Sequence, residues 1–172
     1  SAALRVGVSK GIFSSEAGMG SSPIAHAAAE GTTPYRQGLW GVAEIVIDTF
    51  VVSTLTAFAL LLSGETEMEA VFRNAFGPAG SYILLAFLAV FAFASILAWV
   101  FYADGCIGYL FGGRKKAVSL AFRLLSVLFV FGGVFLSGEA VWAAADIFNA
   151  LMIFPNLFML YIYRKEIQYG VL

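Results

Sequence analysis

Four long apolar segments restrict the fold of this chain more than any other feature. At about 1.5 Å of helical rise per residue, each is long enough to cross a hydrocarbon layer of about 30 Å. The segments are too long for the strands of a transmembrane barrel and lack their alternating hydrophobicity. The pattern therefore predicts an all-α polytopic membrane protein. The predicted spans are residues 38–62, 80–102, 118–136 and 141–163.

Composition favours lipid as the surroundings and excludes several classes of function. Hydrophobic residues make up 60% of the chain and charged residues 12%, whereas soluble domains carry about 25% charged residues. A net charge of −1 offers no basic field, so no nucleic-acid partner is expected. One cysteine, Cys106, and one histidine, His26, exclude an internal disulfide and argue against a metal cage. No arrangement of catalytic residues typical of a hydrolase is present, so the chain is not predicted to be an enzyme.

The charges between the spans predict the orientation in the membrane. Basic residues gather in the 112–117 loop and after residue 163, whereas residues 64–77 carry three glutamates. By the positive-inside rule, the 112–117 loop and the C-terminus are cytoplasmic and residues 64–77 are external. Apolar residues recur at helical spacing within 64–77, which predicts a short amphipathic helix at the interface.

The residues before the first span follow a different pattern. Residues 1–13 are a helix candidate too short to cross, and SSEAGMGSS follows at 14–22. Ser14 or Ser15 is predicted to cap a helix, and Pro23 is predicted to break it. A phosphate loop is rejected, because no strand precedes the glycines and no Lys-Ser/Thr ends the motif. The chain begins with Ser1 rather than Met and shows no signal peptide, which indicates a piece of a longer protein.

Polar residues within the spans are the first candidates for function. Glu44 and Asp48 lie one turn apart in the first span, and Asp146 and Asn149 lie in the outer half of the fourth. A carboxylate at the membrane centre costs about 2.5–3.5 kcal/mol, so such groups face the bundle interior. Two interpretations stay open for both pairs: an ion or gating site, or a structural hydrogen-bond anchor. No cationic partner at the depth of the first pair is evident.

Three further features have both a functional and a structural interpretation. Ser95 and Trp99 lie one turn apart in the second span, where a hydroxyl can bind sodium or a substrate carboxylate beside a flat apolar wall. A mid-helix serine also often bonds to its own helix. His26 is interpreted as a packed histidine rather than a ligand or proton relay. Pro155 and Asn156 are interpreted as a kink.

Several longer motifs resemble one family. GIFSSEAGMGSSPIAHAAA at 11–29, the run from Pro34 to Thr49, FAFASILAW at 91–99 and WAAADIFNALMIFPNL at 142–157 occur in that order. They are similar to the motifs of the alanine/glycine:cation symporter family. The similarity covers nearly the whole chain.

This resemblance implies a sodium-coupled, or alternatively proton-coupled, importer of alanine or glycine that works by alternating access in the plasma (inner) membrane. It implies no cofactor beyond the coupling ion. The implied partners are the amino acid, sodium, the lipid bilayer and the N-terminal repeat of the same protein. An uncoupled amino-acid channel or facilitator and a structural membrane-assembly subunit stay open as alternatives.

The implied fold is the second repeat of a leucine-transporter-type inverted-repeat fold. Residues 1–13 would be the second half of core helix 6, and residues 14–37 a cytoplasmic helical connection. The four spans would be core helices 7 to 10, with 64–77 as the external segment between the first two.

The resemblance also implies roles for particular residues. Ser95 and Trp99 would line the substrate pocket, together with the backbone at Ala2 and Ala3. Sodium would bind at Ser95 and Ala94, with a shift toward backbone carbonyls because Ala94 replaces a hydroxyl. A gate or packing motif comprises Ser14, Ser15, Glu16, Gly18, Gly20 and Ser21. This motif is placed at the cytoplasmic face, since about 18 Å of helix precedes it, and Lys10 is placed in a wet location beside it.

Overall fold

The computed structural model describes residues 2–16, 18–112 and 115–169, so Ser1 and part of the basic 112–117 loop lie outside the described residues. Every regular element in those residues is helical. The helices are α1 (Ala2–Ser15), α2 (Ser22–Ala27), α3 (Pro34–Val46), a π-helical segment (Ile47–Val52), α4 (Ser53–Ser63), α5 (Met68–Phe76), α6 (Ala79–Phe111), α7 (Lys115–Gly133), α8 (Gly138–Ile162) and α9 (Arg164–Tyr169).

Four helices are long and apolar enough to cross a membrane, which confirms the prediction of an all-α polytopic membrane protein. They cover Pro34–Ser63, Ala79–Phe111, Lys116–Gly133 and Gly138–Ile162. Their limits differ from the apolar segments, because a helix extends as far as its caps and turns allow and not only as far as its hydrophobic residues.

The first span shows how a cap moves such a limit. It begins at Pro34, whose fixed backbone angle suits the first helical position. The Thr33 side chain accepts a hydrogen bond from the Arg36 backbone N–H at 3.3 Å. Arg36 and Gln37, which the sequence placed in a connection, are therefore helical.

The cap predicted at Ser14 or Ser15 is wrong. Helix α1 continues through Ser15, and the next helix begins only at Ser22. Pro23 lies in the first turn of α2, where its missing N–H costs no hydrogen bond. A tight loop of glycines therefore separates two helices where one broken helix was expected.

The first span changes its helical geometry around Asp48. The π-helical segment Ile47–Val52 lies between α3 and α4. Ser53 donates its hydroxyl proton to the Asp48 carbonyl oxygen at 3.0 Å. Such π-helical turns occur frequently at functional sites, because the extra residue changes the direction of the side chains around it.

The remaining contacts join neighbouring spans. Asp104 of α6 accepts hydrogen bonds from Ser119 and Arg123 of α7. The amphipathic helix α5, within the predicted 64–77 segment, packs the ring of Phe72 on Phe87 of α6 at 6.5 Å between centroids. These contacts attach α5 and α7 to α6.

Candidate functional site around the glycine-rich loop

The most deeply buried part of the described chain is the glycine-rich loop, which we define as residues 16–21. Met19 is 2% exposed and Ser21 is 1% exposed, whereas most apolar side chains of the spans are exposed. The sequence places this motif at the cytoplasmic face, and that placement stays a prediction. The structure shows that the surrounding helices cover the side chains of Met19 and Ser21.

Asn156 of α8 holds one side of the loop. Its Nδ2 donates a hydrogen bond to the Gly18 carbonyl oxygen at 3.0 Å. A Cβ atom built on Gly20 would lie 2.8 Å from Asn156 Oδ1, and the Gly20 φ of +82° is itself a conformation that favours glycine. The loop can therefore approach α8 closely only with glycine at this position.

Glu16 is the one described residue other than glycine with a positive φ, at 52°. Its carboxylate accepts a hydrogen bond from the Ser21 hydroxyl at 2.6 Å, which closes the loop on itself. The phenol of Tyr102 in α6 faces the same carboxylate. Residues held in a sparsely populated backbone conformation cluster at ligand clamps and switches, and so Glu16 is a candidate for function.

His26 joins α2 to the first span. Its Nδ1 lies 2.7 Å from Gln37 Oε1, and its Nε2 lies 3.2 Å from Glu44 Oε2. Gly41 permits this approach, since a Cβ there would lie 3.5 Å from the imidazole Nε2. The hydrogen bond to Gln37 raises the pKa of His26 above its ordinary 6.5, and Glu44 raises it further, while burial opposes them.

A cleft of about 750 Å³ opens between the loop, α2, α3 and the end of α8. Polar side chains reach it from the loop, α2, the first span and α8, among them Glu16, His26, Gln37 and Asn156. Apolar side chains of the first span and α8 complete the lining. The cleft thus combines an apolar surface with a few convergent polar groups, the usual composition of a ligand pathway.

Helix α1 is held on its other side by an ion pair. Lys10 Nζ lies 2.9 Å from Asp146 Oδ1, and it also lies 4.4 Å from the centre of the Trp142 ring. Asp146 lies about 12 Å from the start of α8, in the half predicted to face outward. The cation thus neutralises a carboxylate of the fourth span, and the placement of Lys10 at the cytoplasmic end of α1 stays a prediction.

Ser14 joins the end of α1 to the first span. Its hydroxyl donates to Asp48 Oδ2 at 2.8 Å. Asp48 is about 21 Å from the start of the first span, so this contact lies near the middle of that helix. Glu44 likewise has a partner that the sequence did not reveal, the imidazole of His26. Both intramembrane carboxylates of the first span are hydrogen-bonded.

The predicted substrate residues lie apart from this network. Ser95 and Ala94 are exposed on α6, and Trp99 is 37% exposed with its ring against Tyr102 at 5.8 Å between centroids. Ala2 and Ala3 lie at the start of α1. Their roles in binding substrate and sodium stay predictions.

Asn149 keeps both of its interpretations, an ion or gating site and a structural hydrogen-bond anchor. Its Nδ2 is buried and has no hydrogen-bond partner among the described residues. It lies one turn beyond Asp146 on α8. Its role stays a prediction.

Two residues of the network were missed by sequence reasoning. Asn156 was interpreted as part of a kink, and Tyr102 entered only as the last residue of the second predicted span. The available signal was that each is a polar group in an otherwise apolar span, and such a group needs a polar partner in lipid. Which residue is that partner can be known only from the packing of the helices.

The sequence matches the profile of the sodium:alanine symporter family over residues 1–169. An uncharacterized transporter of Haemophilus influenzae is 41% identical, over 96% of this chain and 38% of that protein. The sodium/alanine symporter AgcS of Methanococcus maripaludis is 37% identical, over 90% of this chain and 36% of its own. The probable sodium/glutamine symporter GlnT of Bacillus subtilis is 33% identical, over 96% of this chain and 36% of that protein.

The chain therefore spans well under half the length of these curated relatives. No solved structure matches it.

Proposed function

Because the chain belongs to the sodium:alanine symporter family, we propose that the whole transporter imports alanine- or glycine-type small amino acids together with sodium. Family membership identifies the chain as part of a membrane transporter and not of an enzyme. The match of the family profile along almost the entire chain is the observation that carries this proposal. The name of AgcS, a sodium/alanine symporter, supports the choice of substrate and ion.

The substrate pocket is proposed on the face of α6 that carries Ser95 and Trp99. The Ser95 hydroxyl can donate to the carboxylate of a bound amino acid, and Trp99 can limit the side chain to a small one. The backbone at Ala2 and Ala3 would complete this side of the pocket. Both α6 residues are exposed in the described chain, which leaves this face available to a substrate and to further helices.

Sodium is proposed to bind beside the substrate, at the Ser95 hydroxyl and the Ala94 carbonyl oxygen. Both groups supply oxygen ligands. A sodium ion that has lost most of its water molecules needs several such ligands. The remaining ligands would come from the N-terminal repeat. Sodium bound there would favour the conformation that binds the amino acid. This preference would couple sodium binding to substrate binding.

The proposed architecture is the second repeat of a leucine-transporter-type fold, with the first repeat supplied by the rest of the protein. The chain would lie in the plasma membrane, with the 112–117 loop and the C-terminus on the cytoplasmic side. Alternating access would then move the glycine-rich loop. We propose as part of the inner gate the motif of Ser14, Ser15, Glu16, Gly18, Gly20 and Ser21. The cleft of about 750 Å³ beside this loop supports a gating role.

Transport by the full-length protein in liposomes tests the proposal. Uptake of labelled alanine is expected to require an inward sodium gradient. Trp99→Ala is expected to raise KM about tenfold or more, since losing about 1.4 kcal/mol of binding changes affinity by that factor. Trp40→Ala, at an exposed position of α3, is the matched control and is expected to retain the KM of the parent protein.

Three results would contradict parts of this proposal. Uptake that depends on a proton gradient and not on the sodium gradient would show that the coupling ion is the proton. Uptake that ignores both gradients would favour an uncoupled channel or facilitator. An unchanged KM in Trp99→Ala would contradict the placement of the substrate pocket on α6.

A further inference from the structure

The sole histidine of the chain has an acceptor at each ring nitrogen. Nδ1 faces Gln37 Oε1 at 2.7 Å, and Nε2 faces the Glu44 carboxylate at 3.2 Å. A neutral imidazole carries one N–H and can satisfy only one acceptor, whereas an imidazolium carries two. With Gln37 Oε1 facing Nδ1, both acceptors are satisfied together only when the ring is protonated.

Thr32 sets the orientation of the Gln37 amide. Gln37 Nε2 donates to Thr32 Oγ1 at 3.3 Å, which turns Oε1 toward the imidazole. If the amide rotated by half a turn, Nε2 would donate to a deprotonated Nδ1, and Oε1 would accept from the Thr32 hydroxyl. Thr32 and Gln37 can thus satisfy Nδ1 in either protonation state, so the contact that weakens when the proton leaves is the charged one between Nε2 and Glu44.

The charged groups around His26 are acidic. Helix α3 contributes Glu44, the glycine-rich loop contributes Glu16 on the same cleft, and α6 contributes Tyr102, which faces both carboxylates. The ion pairs of Lys and Arg among the described residues lie elsewhere, at Asp146 and Asp104. A proton on His26 is therefore the cationic contribution that holds α2 to α3.

We propose that His26, Glu44 and Gln37 form a proton-binding site that couples protonation to the position of α2 and the adjoining glycine-rich loop. This inference rests on the proposed transport function for its consequence, since the loop would act as the inner gate. With the proton bound, the charged hydrogen bond to Glu44 holds α2 against the first span. When the proton leaves, that bond weakens and the loop is free to move.

The sign of the pH effect follows from the contacts. Gln37 and Glu44 raise the pKa of His26 above 6.5, so the closed arrangement is stabilised by the proton. This stabilisation is complete below the ordinary pKa and is lost as the pH rises through the raised value. Opening of the loop is therefore expected to increase with pH across this range.

The test measures the accessibility of a cysteine in the cleft, independently of transport. Ser22→Cys is introduced into the full-length transporter, with Cys106→Ser and any other native cysteines replaced, and is labelled with a polar maleimide at pH 5.5 to 8.5. Rates are corrected for the titration of the thiol with a cysteine at Tyr109, an exposed position. The corrected rate at Ser22→Cys is expected to rise severalfold with pH.

Three second-site variants make the result specific. His26→Gln is expected to remove the pH dependence. Glu44→Gln keeps the size of the side chain but removes its charge, and it is expected to shift the midpoint to lower pH. Glu30→Gln, an exposed change in the same connection, is expected to leave the midpoint unchanged.

The outcomes separate this inference from the transport proposal. A corrected rate that does not vary with pH, or that varies equally in His26→Gln, would overturn the proton site even if alanine uptake is normal. A rate that depends on pH only when His26 is present would support the site even if alanine is not a substrate. A midpoint in Glu44→Gln that moves to higher pH would overturn the role given to the carboxylate.

Discussion

The two helices on either side of the glycine-rich loop are held by charge in different ways. On one side, Lys10 of α1 pairs with Asp146 of α8 at 2.9 Å, an ion pair that does not involve an imidazole. On the other, His26 of α2 meets Glu44 at 3.2 Å, and this pair is ionic only while the imidazole is protonated. The comparison teaches that α1 has a permanent attachment, whereas α2 has a conditional one. The loop between them can then move relative to a fixed α1.

Removal of Lys10 should produce the largest effect, because it breaks the permanent attachment. Lys10→Met leaves Asp146 without its cation inside a span, at an expected cost of about 2–3 kcal/mol. The apparent melting temperature of the purified full-length transporter measures this loss. Arg5→Met, a cation lost from the same helix at an exposed position, is the matched control and should change little.

A double variant distinguishes charge from packing at this contact. Lys10→Met with Asp146→Asn removes both charges, so it should recover part of the stability lost in Lys10→Met alone. A melting temperature as low as that of the single variant would show that the Lys10 side chain acts by packing on Trp142 rather than by neutralising Asp146.

A methyl group on Gly20 should have the next largest effect, because it pushes the loop away from α8. Gly20→Ala combines a left-handed backbone, worth about 1–2 kcal/mol, with an overlap at Asn156. Gly18→Ala is the matched control, since its φ is +78° but no atom lies within 4 Å of the added Cβ. The melting temperature should fall further in Gly20→Ala than in Gly18→Ala.

Equal losses in these two alanine variants would mean that the contact with Asn156 does not hold the loop. Asn156→Ala in the Gly20→Ala background should relieve the overlap and recover part of the difference. This variant also loses the hydrogen bond to Gly18, so complete recovery is not expected.

Loss of the Ser14 hydroxyl should have the smallest effect of the three, because one hydrogen-bond donor at an exposed contact is removed rather than a charge. Ser14→Ala is expected to cost about 1 kcal/mol, since Asp48 loses a donor at 2.8 Å. Ser9→Ala on the same helix is the control for the change in helix propensity. A melting temperature equal to that of Ser9→Ala would show that Asp48 finds another donor and that Ser14 does not attach α1 to the first span.

Much of the secondary structure could be predicted from local patterns. The four spans follow from their apolar length, and helix α5 follows from the helical spacing of its apolar residues. The break before α2 could not be located this way. Ser14 and Ser15 are good cap residues in isolation, yet the contacts of α1 with Asp48 and Asp146 keep that helix intact through Ser15.

The candidate site could be predicted only in part. Glu16, Gly18, Gly20 and Ser21 were recognised as one motif, and Glu44 and Asp48 as polar groups that need partners. Their partners lie far along the chain: Asn156 bonds to Gly18 across 138 residues, and Asp146 bonds to Lys10 across 136. A periodic pattern predicts which residues share a face within a few helical turns. It does not predict contacts between residues so far apart in the sequence.

The sequence by itself determined that the chain is a helical membrane protein, because apolar length and the cost of an unpaired backbone in lipid leave no other solution. Its motifs also determined the family. Only the tertiary structure decided which charges meet: Lys10 with Asp146, and His26 with Glu44. The physical reason is that a polar group in lipid must have a partner, but which partner it has depends on how the helices pack. The same packing covers Met19 and Ser21 of the glycine-rich loop, and it places beside the loop a histidine whose pKa is raised by its contacts.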